Sequence, residues 1–515
     1  MATSTLLSRR AFLAASSATA LALPAAARTA LKPHHAPPLK VPSPAAWRAL
    51  KEKLKGPLVL NGEPDFFQLA LPDNLRYAQT QPQGIARCLT TEDVSSAITW
   101  ARDNEIALIT RSGGHSYAGY STTTGLMIDM TLMDHVSLDS SGVATIGGGA
   151  INQGIYAKLA AANVTITHGR CPSVGAAAFL LGGGIGFNMR EDGLACDQVT
   201  ATDLVKPNGD MLHLLKSDND PDKKEIFWAC QGGGGGNFGI STSFSMQTFA
   251  VPADPITVFK IVWKRTKDWK TTPEEVGFKL MQTLETAPPS LGSRVSFGAV
   301  TPLQYLHGQD VTINLLGQYK GSKKAFLDIM APVFDLAKPD ESETTIAEAP
   351  YWEGQKFLSE PSKPTWYQER SAFVDQKVTQ DMLRKGFAHL RRWPGTHEYC
   401  DLRFFQTGAK VNAVDARDTA FVHRSSEWLM VVGLYWSAED NCRRVALDMN
   451  HRWQDDFYAA MLPFATGGAY QNFPDPSLKD WQTSYYGKNL DRLMKVKTEL
   501  DPTRLFTFPQ AIPSA

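Results

Sequence analysis

Net charge is missing from this 515-residue chain: 52 Lys+Arg balance 52 Asp+Glu. Nucleic-acid binders and polybasic membrane-surface proteins need a positive field, so neither class fits. After the first thirty residues no run of about 18 apolar residues occurs, so a soluble mature protein with no membrane span is expected. Cysteine is scarce. The six residues, Cys88, Cys171, Cys196, Cys230, Cys400 and Cys442, form no C-x-x-C pair, which argues against a zinc ribbon or a thioredoxin-like site. No internal repeat of 20–50 residues is visible, which argues against solenoids and propellers.

What is present begins with Ser8-Arg9-Arg10-Ala11-Phe12-Leu13, an apolar run to Leu23, and an A-x-A site at Ala25–Ala27. This is the pattern of a twin-arginine signal peptide. It predicts export to the periplasm or the extracellular space, with a cofactor loaded before transport. Hydrophobic residues make up 43% of the chain, enough for a sizeable core in two or three domains. The expected organisation is a signal peptide over 1–27, a Pro/Ala-rich lead-in over 28–65, and a glycine-rich domain over 66–254. A domain of amphipathic helices and aromatic strands follows over 255–466. A C-terminal segment, 467–515, returns to the first domain. Helices are predicted over Val94–Asn104, Ile151–Ala162, 273–287, 323–337, 376–391 and 438–461, from apolar periodicity and capping residues.

Four segments carry candidate chemistry. At Arg111-Ser112-Gly113-Gly114-His115-Ser116-Tyr117 a buried strand ends in a small-residue turn. Its backbone N–H groups form a nest suited to a pyrophosphate. Neither a Walker G-K-[ST] nor a G-x-G-x-x-G spacing occurs there. The second is Gly169-Arg170-Cys171-Pro172-Ser173-Val174-Gly175 with the turn Gly182–Gly186, and the third is Gly232–Gly236 before Asn237 and Ile240. Glycine runs let a flat ligand or another backbone approach closely. The fourth is Tyr470-Gln471-Asn472-Phe473 with Tyr485–Asn489. Taken singly, His115 reads equally as a turn histidine, Cys171 as a buried thiol and the tyrosines as a packing edge.

In this order, RSGGHS, GRCPSVG with LGGGIGF, REDGLACD, CQGGGGGNFGI and the YQNF…YYGKN tail resemble the berberine-bridge-enzyme-like oxidases of the vanillyl-alcohol-oxidase flavoprotein superfamily. The likeness covers about residues 70–255 and 460–510, and the middle more loosely. It implies an α+β fold: a two-part FAD-binding domain, and a substrate domain whose antiparallel sheet is covered by helices. It implies FAD joined covalently through His115 and through Cys171. Ser112, Gly113, Gly114 and Ser116, with Arg111, are expected at the pyrophosphate. Val174, Gly175, Gly182, Gly183 and Gly186 are expected along the isoalloxazine and ribityl chain. Gly193, Leu194, Ala195 and Ile240 are expected near the adenine-to-pyrophosphate portion, and Asn472 is expected on the flavin. Where many relatives carry a His or a Gly-Gly pair after the cysteine segment, this chain has Ala176-Ala177-Ala178.

Val174 occupies the position at which, in relatives, valine accompanies fast reaction with dioxygen, so an oxidase releasing hydrogen peroxide is implied. Tyr470 takes the place of the proton-accepting tyrosine of carbohydrate-oxidising relatives. A free phenol has a pKa near 10 and needs help to act as a base near neutrality. Asp401 and Asp475 are candidate relays, and Tyr117 is a candidate substrate contact. Three functions remain open: a secreted sugar or oligosaccharide oxidase, a tailoring oxidase for a secondary metabolite, and a non-catalytic flavin carrier. The partners implied are a small-molecule substrate and dioxygen, with no metal.

Overall fold

The computed structural model describes residues 40–515 apart from 267, 268 and 362. The expected signal peptide, and the lead-in up to residue 39, lie outside the described residues. From Val41 onward the chain forms one compact unit built on three main sheets.

The first sheet has four short strands in the order Leu58–Leu60, Gly84–Arg87, Leu126–Asp129, Leu108–Arg111. Its last three strands are parallel. The helix Thr91–Asp103 crosses over between Gly84–Arg87 and the edge strand Leu108–Arg111. Its N-cap is Thr90, whose hydroxyl accepts the Asp93 N–H, so the helix starts earlier than the pattern predicts. We call Leu108–Arg111 β1, because the turn it feeds forms part of the site. The second sheet is a five-stranded antiparallel layer in the order Val136–Leu138, Val143–Gly147, Ile240–Gln247, Val199–Val205, Met211–Leu215.

The third sheet has seven strands, all antiparallel, in the order Thr345–Ala349, Ile256–Trp263, Thr312–Tyr319, Leu291–Gly298, Cys400–Gln406, Trp428–Trp436, Trp366–Val374. Three of these recur below: β2 (Trp366–Val374), β3 (Cys400–Gln406) and β4 (Trp428–Trp436). Side chains alternate across a strand. Ala372, Val374, Leu402, Phe404, Met430, Val432 and Leu434 therefore enter one apolar core with the helices Pro273–Glu285, Lys323–Leu336, Gln380–Leu390 and Arg444–Met461. The intervening residues, among them Tyr367, Glu369, Arg403 and Tyr435, belong to the opposite face. The fold is thus α+β, with one face of the large sheet covered by helices.

Two predicted helices are shorter than expected. The helix predicted over 376–391 begins at Gln380, where Thr379 accepts the Met382 N–H as N-cap. The one predicted over 438–461 is broken at Arg443, whose φ of −97° and ψ of 69° are non-helical. A capping box between Ser437 and Asp440 starts the short first piece. The C-terminal helix α1 (Leu490–Leu500) buries Leu493 and Val496 in the same apolar cluster as Ile128, Leu204 and Phe244 of the first two sheets. No disulfide joins any of the six cysteines among the described residues.

Candidate active site

β1 ends at Arg111, and the chain then turns through Ser112–Tyr117. These six residues line a cavity of about 870 Å3, at the upper end of the roughly 300–1,000 Å3 usual for small-molecule and cofactor sites. Gly114 adopts φ 77°, a conformation that disfavours any residue with a Cβ. The turn is pressed against the cysteine segment: a Cβ on Gly113 would lie 2.4 Å from both the Gly175 nitrogen and the Ser173 oxygen. The glycine run is a further stretch of the lining. Gly234, Gly235 and Gly236 line the cavity, and a Cβ on Gly235 or Gly236 would meet no protein atom closer than 3.5 Å. Bare backbone from two separate segments lining one cavity fits a flat, polyanionic cofactor such as FAD.

His115 and Cys171 meet in this cavity through one hydroxyl. Ser173 Oγ lies 3.0 Å from His115 Nε2 and 3.4 Å from Cys171 Sγ. The other ring nitrogen, His115 Nδ1, is 3.3 Å from Asp73 Oδ2. Burial opposes a charged imidazole, but the hydrogen bond and charge of Asp73 outweigh it and hold the His115 pKa above its ordinary value. Sequence reasoning misses Asp73 and Ser173. Asp73 stands in no motif, and Ser173 stands inside one that does not distinguish it.

Val174, Gly175, Gly186, Ile240 and Asn472 also line the cavity. Arg111, Gly182, Gly183, Gly193, Leu194 and Ala195 do not. Arg111 gives its guanidinium to the carbonyls of Leu69, Ala70, Leu71 and Ser121, at 2.6–3.2 Å, and so anchors the turn. Burial lowers its pKa to about 10. Gly182 gives way to the Asn472 side chain, and Gly183 packs on Phe421 and Tyr470. Ala195 and Cys196 donate their N–H groups to the carbonyls of Gly184 and Gly183, which braces that turn from behind.

Tyr470 is buried at the cavity wall. Its hydroxyl accepts the Gly184 N–H at 2.9 Å and the Asn472 Nδ2 at 3.1 Å. Burial pushes its pKa up, against the pull of those two donors. Neither expected relay reaches it. Asp401 pairs with Arg403 Nε at 2.7 Å. Asp475 is held by Arg370 Nε at 2.8 Å and caps the Ser477 N–H. The phenol therefore has two N–H donors and no carboxylate among its hydrogen-bond partners.

Four tyrosines also line the cavity: Tyr117 from the turn after β1, and Tyr367, Tyr399 and Tyr435 from the large sheet or next to it. Tyr117 stacks on Phe473 at 4.8 Å and meets Tyr367 edge-on at 5.1 Å; Tyr399 stacks on Tyr435 at 4.4 Å. Glu369 and Arg403 stand among these rings. Arg403 Nη2 donates to Glu369 Oε1 at 2.6 Å and to the Tyr435 hydroxyl oxygen at 3.2 Å, and that hydroxyl donates to Glu369. Glu360, also in the lining, takes the guanidiniums of both Arg170 and Arg294. Sequence reasoning does not single out Glu369, Arg403 or Tyr435. The available signal is alternation within WYQERSAFV, CDLRFFQ and WLMVVGLYW, where every second residue faces away from the helices. Among the described residues no cluster of His, Cys, Asp and Glu could hold a metal ion.

Comparison with known proteins agrees with this geometry. A family model described as an FAD binding domain matches residues 82–215, and one described as berberine and berberine like matches 469–513. The uncharacterized FAD-linked oxidoreductase YgaK of Bacillus subtilis is 28% identical over 470 residues, covering 90% of this chain and 98% of its own. The glucooligosaccharide oxidase of Sarocladium strictum is 27% identical over 467 residues, covering 84% and 87%. Among solved structures, berberine bridge enzyme from Eschscholzia californica superimposes with a TM-score of 0.80 at 22% identity, covering 91% of this chain and 99% of that one. At that identity the match is a likeness of fold.

Proposed function

The chain is a berberine bridge enzyme-like, FAD-dependent oxidoreductase, and from that premise we propose that it is an exported oxidase of a small alcohol, with the anomeric hydroxyl of a sugar or oligosaccharide as the favoured donor. The observation that carries the reading is one cavity lined both by bare backbone at Ser112–Ser116 and Gly234–Gly236 and by the aromatic and charged side chains of Tyr117, Tyr435 and Arg403. The bare backbone suits the cofactor, and the side chains suit a polyhydroxylated ring stacked on tyrosines.

FAD, when bound, supplies hydride acceptance from the alcohol carbon and passes the electron pair to dioxygen, giving hydrogen peroxide. The chain's own residues do the rest. His115 and Cys171, linked through Ser173, are the proposed covalent attachment points. Asp73 orients the His115 ring. Ser112–Ser116 offers backbone donors to the pyrophosphate, and Asn472, whose amide nitrogen is held by the Phe179 carbonyl and the Tyr470 hydroxyl, is proposed to face the flavin or its ribityl chain. Val174 lines the cavity beside them, the feature that supports dioxygen as acceptor. Export is supported by the Ser8–Leu13 pattern and the Ala25–Ala27 site. No helix among the described residues is long and apolar enough to cross a membrane.

The test is an oxygen-electrode and peroxide assay of the FAD-loaded protein with mono- and oligosaccharides, beside benzylic and alkaloid alcohols. One peroxide per carbonyl formed from a sugar is the expected result. Turnover of the aromatic alcohols alone would move the assignment to a metabolite-tailoring oxidase. No turnover of any compound would leave a flavin carrier.

A further inference from the structure

We infer that Tyr435, backed by the Glu369 carboxylate, takes the hydroxyl proton of the substrate, with Arg403 and Asp401 as its positioning residues. The assignment rests on the alcohol-oxidase reading above and replaces Tyr470 in the role expected from sequence.

The site is made by strand pairing. β2, β4 and β3 lie side by side, and Glu369, Gly433 and Asp401 are directly opposite one another across them. Tyr435 is opposite Tyr367 on the same face. Glycine at the middle position leaves the Arg403 and Asp401 side chains in place, since a Cβ on Gly433 would lie 2.5 Å from Arg403 Nη2 and 2.6 Å from Asp401 Oδ1. The missing side chain makes room for two carboxylates and a guanidinium, which are buried.

A phenol that is to accept a proton needs somewhere to send its own and a cation near its oxygen. Tyr435 has both. Its hydroxyl donates to Glu369, and its oxygen accepts from Arg403 at 3.2 Å. Arg403 is held in turn by Asp401 at 2.7 Å. With Glu369, Asp401 and Arg403 all ionised, the buried cluster carries one negative charge in excess, and one added proton neutralises it. Two acceptor atoms are spare, because Glu369 Oε2 and Asp401 Oδ1 are buried without a hydrogen-bond partner. Burial, with the Glu369 charge, pushes the Asp401 pKa up even against Arg403, as expected where a proton is wanted. Tyr470 has two N–H donors but no acceptor for its proton.

In the proposed step the substrate O–H bond breaks and its proton goes to Tyr435 Oη. The Tyr435 proton moves to Glu369 Oε1. The alcohol carbon loses its hydrogen with the bonding pair to FAD, and the C–O bond becomes a carbonyl. Besides Glu369, Arg403 and Asp401, the ionisable groups around Tyr435 are Tyr117, Tyr367 and Tyr399.

The experiment uses the FAD-loaded full chain and the variants Tyr435→Phe, Glu369→Gln and Tyr470→Phe. The first readout needs no substrate: tyrosinate ultraviolet absorbance against pH. Glu369→Gln removes the negative charge and leaves Arg403 beside the phenol. One extra tyrosinate should then form at lower pH than in the wild type, and should vanish in Glu369→Gln/Tyr435→Phe. Superimposable wild-type and Glu369→Gln curves would overturn the coupling. The second readout is anaerobic flavin bleaching by the best donor among glucose, cellobiose, maltose, xylobiose and benzyl alcohol. Tyr435→Phe should slow bleaching by about 10²–10⁴-fold with little change in half-saturation, while Tyr470→Phe stays within about tenfold of the wild type. A Tyr435→Phe protein as fast as the wild type, or a larger loss in Tyr470→Phe, sinks the assignment and leaves the oxidase reading standing. If no donor bleaches the wild type, the oxidase reading falls and this assignment falls with it.

Discussion

The Asn472 side chain occupies the space beside Gly182: a Cβ on Gly182 would lie 1.9 Å from Asn472 Oδ1. Asn472 is also what fixes the Tyr470 hydroxyl, through its Nδ2 at 3.1 Å. A backbone turn of the first half of the chain and a side chain near the C-terminus thus form one joint at the cavity wall.

Gly182→Ala should therefore act through Asn472. Overpacking of this kind costs about 1–3 kcal/mol. The expected outcome in urea unfolding is a lower midpoint with an unchanged slope, together with a reduced FAD-to-protein ratio. An alanine variant of wild-type stability and full flavin content would contradict the joint.

The covalent links are tested by acid precipitation of the FAD-loaded chain and intact mass. His115→Ala and Cys171→Ala should each keep flavin on the polypeptide through the remaining bond, and the double variant should release all of it. Asp73→Asn removes the charge that holds the His115 pKa up, so the pH midpoint of flavin attachment at His115 should move down in that variant. If yellow colour leaves the wild-type pellet, neither link exists.

Lys497 and Asp501 form a fully buried ion pair at 2.7 Å, and Lys497 Nζ also donates to the Asn237 carbonyl at 2.6 Å. Through Asn237, which bonds the Gly233 carbonyl, α1 holds the glycine run that walls the cavity. Lys497→Met strands the carboxylate and should cost about 3–5 kcal/mol in denaturant unfolding. Lys497→Met/Asp501→Leu should recover much of that loss. Equal loss in both variants would show that the bonds of Lys497 to the Asn237 and Phe506 carbonyls and of Asp501 to the Leu505 and Phe506 N–H groups, and not the ion pair, are what matter.

His168 is buried against Trp352, with Nε2 2.9 Å from the Tyr351 hydroxyl. Burial lowers its pKa to about 4. Between its unfolded value, near 6.5, and 4 the unfolded chain binds a proton that the folded chain does not, so stability is present above pH 6.5 and is lost as pH falls. The loss amounts to about 3 kcal/mol by pH 4. Thermal melts from pH 7 to pH 4 should show this slope in the wild type and a shallower one in His168→Gln. Parallel slopes would remove His168 as the cause.

Sequence by itself determined the features that depend on local backbone chemistry. Positive-φ glycines such as Gly114 and Gly236 need no partner to be recognised as turns. The motifs around them are enough to put His115 and Cys171 forward for the cofactor, and both residues line the one cavity. Alternation and capping give most of the helices, and they miss ends such as Arg443, where a short capping box competes with the longer helix. Tertiary structure alone decided that the Tyr435 hydroxyl has a carboxylate acceptor and that Tyr470 has none among its hydrogen-bond partners. Tyr470 stands out because it sits in a motif, yet Asp401, its expected relay, is bound to Arg403. Glu369, Arg403 and Tyr435 lie on three strands far apart in sequence, and only the pairing of β2 and β3 with β4 brings them onto one face. A proton relay depends on hydrogen-bond partners across about 3 Å, and partners of that kind are set by strand order and register, which no single segment of this chain encodes.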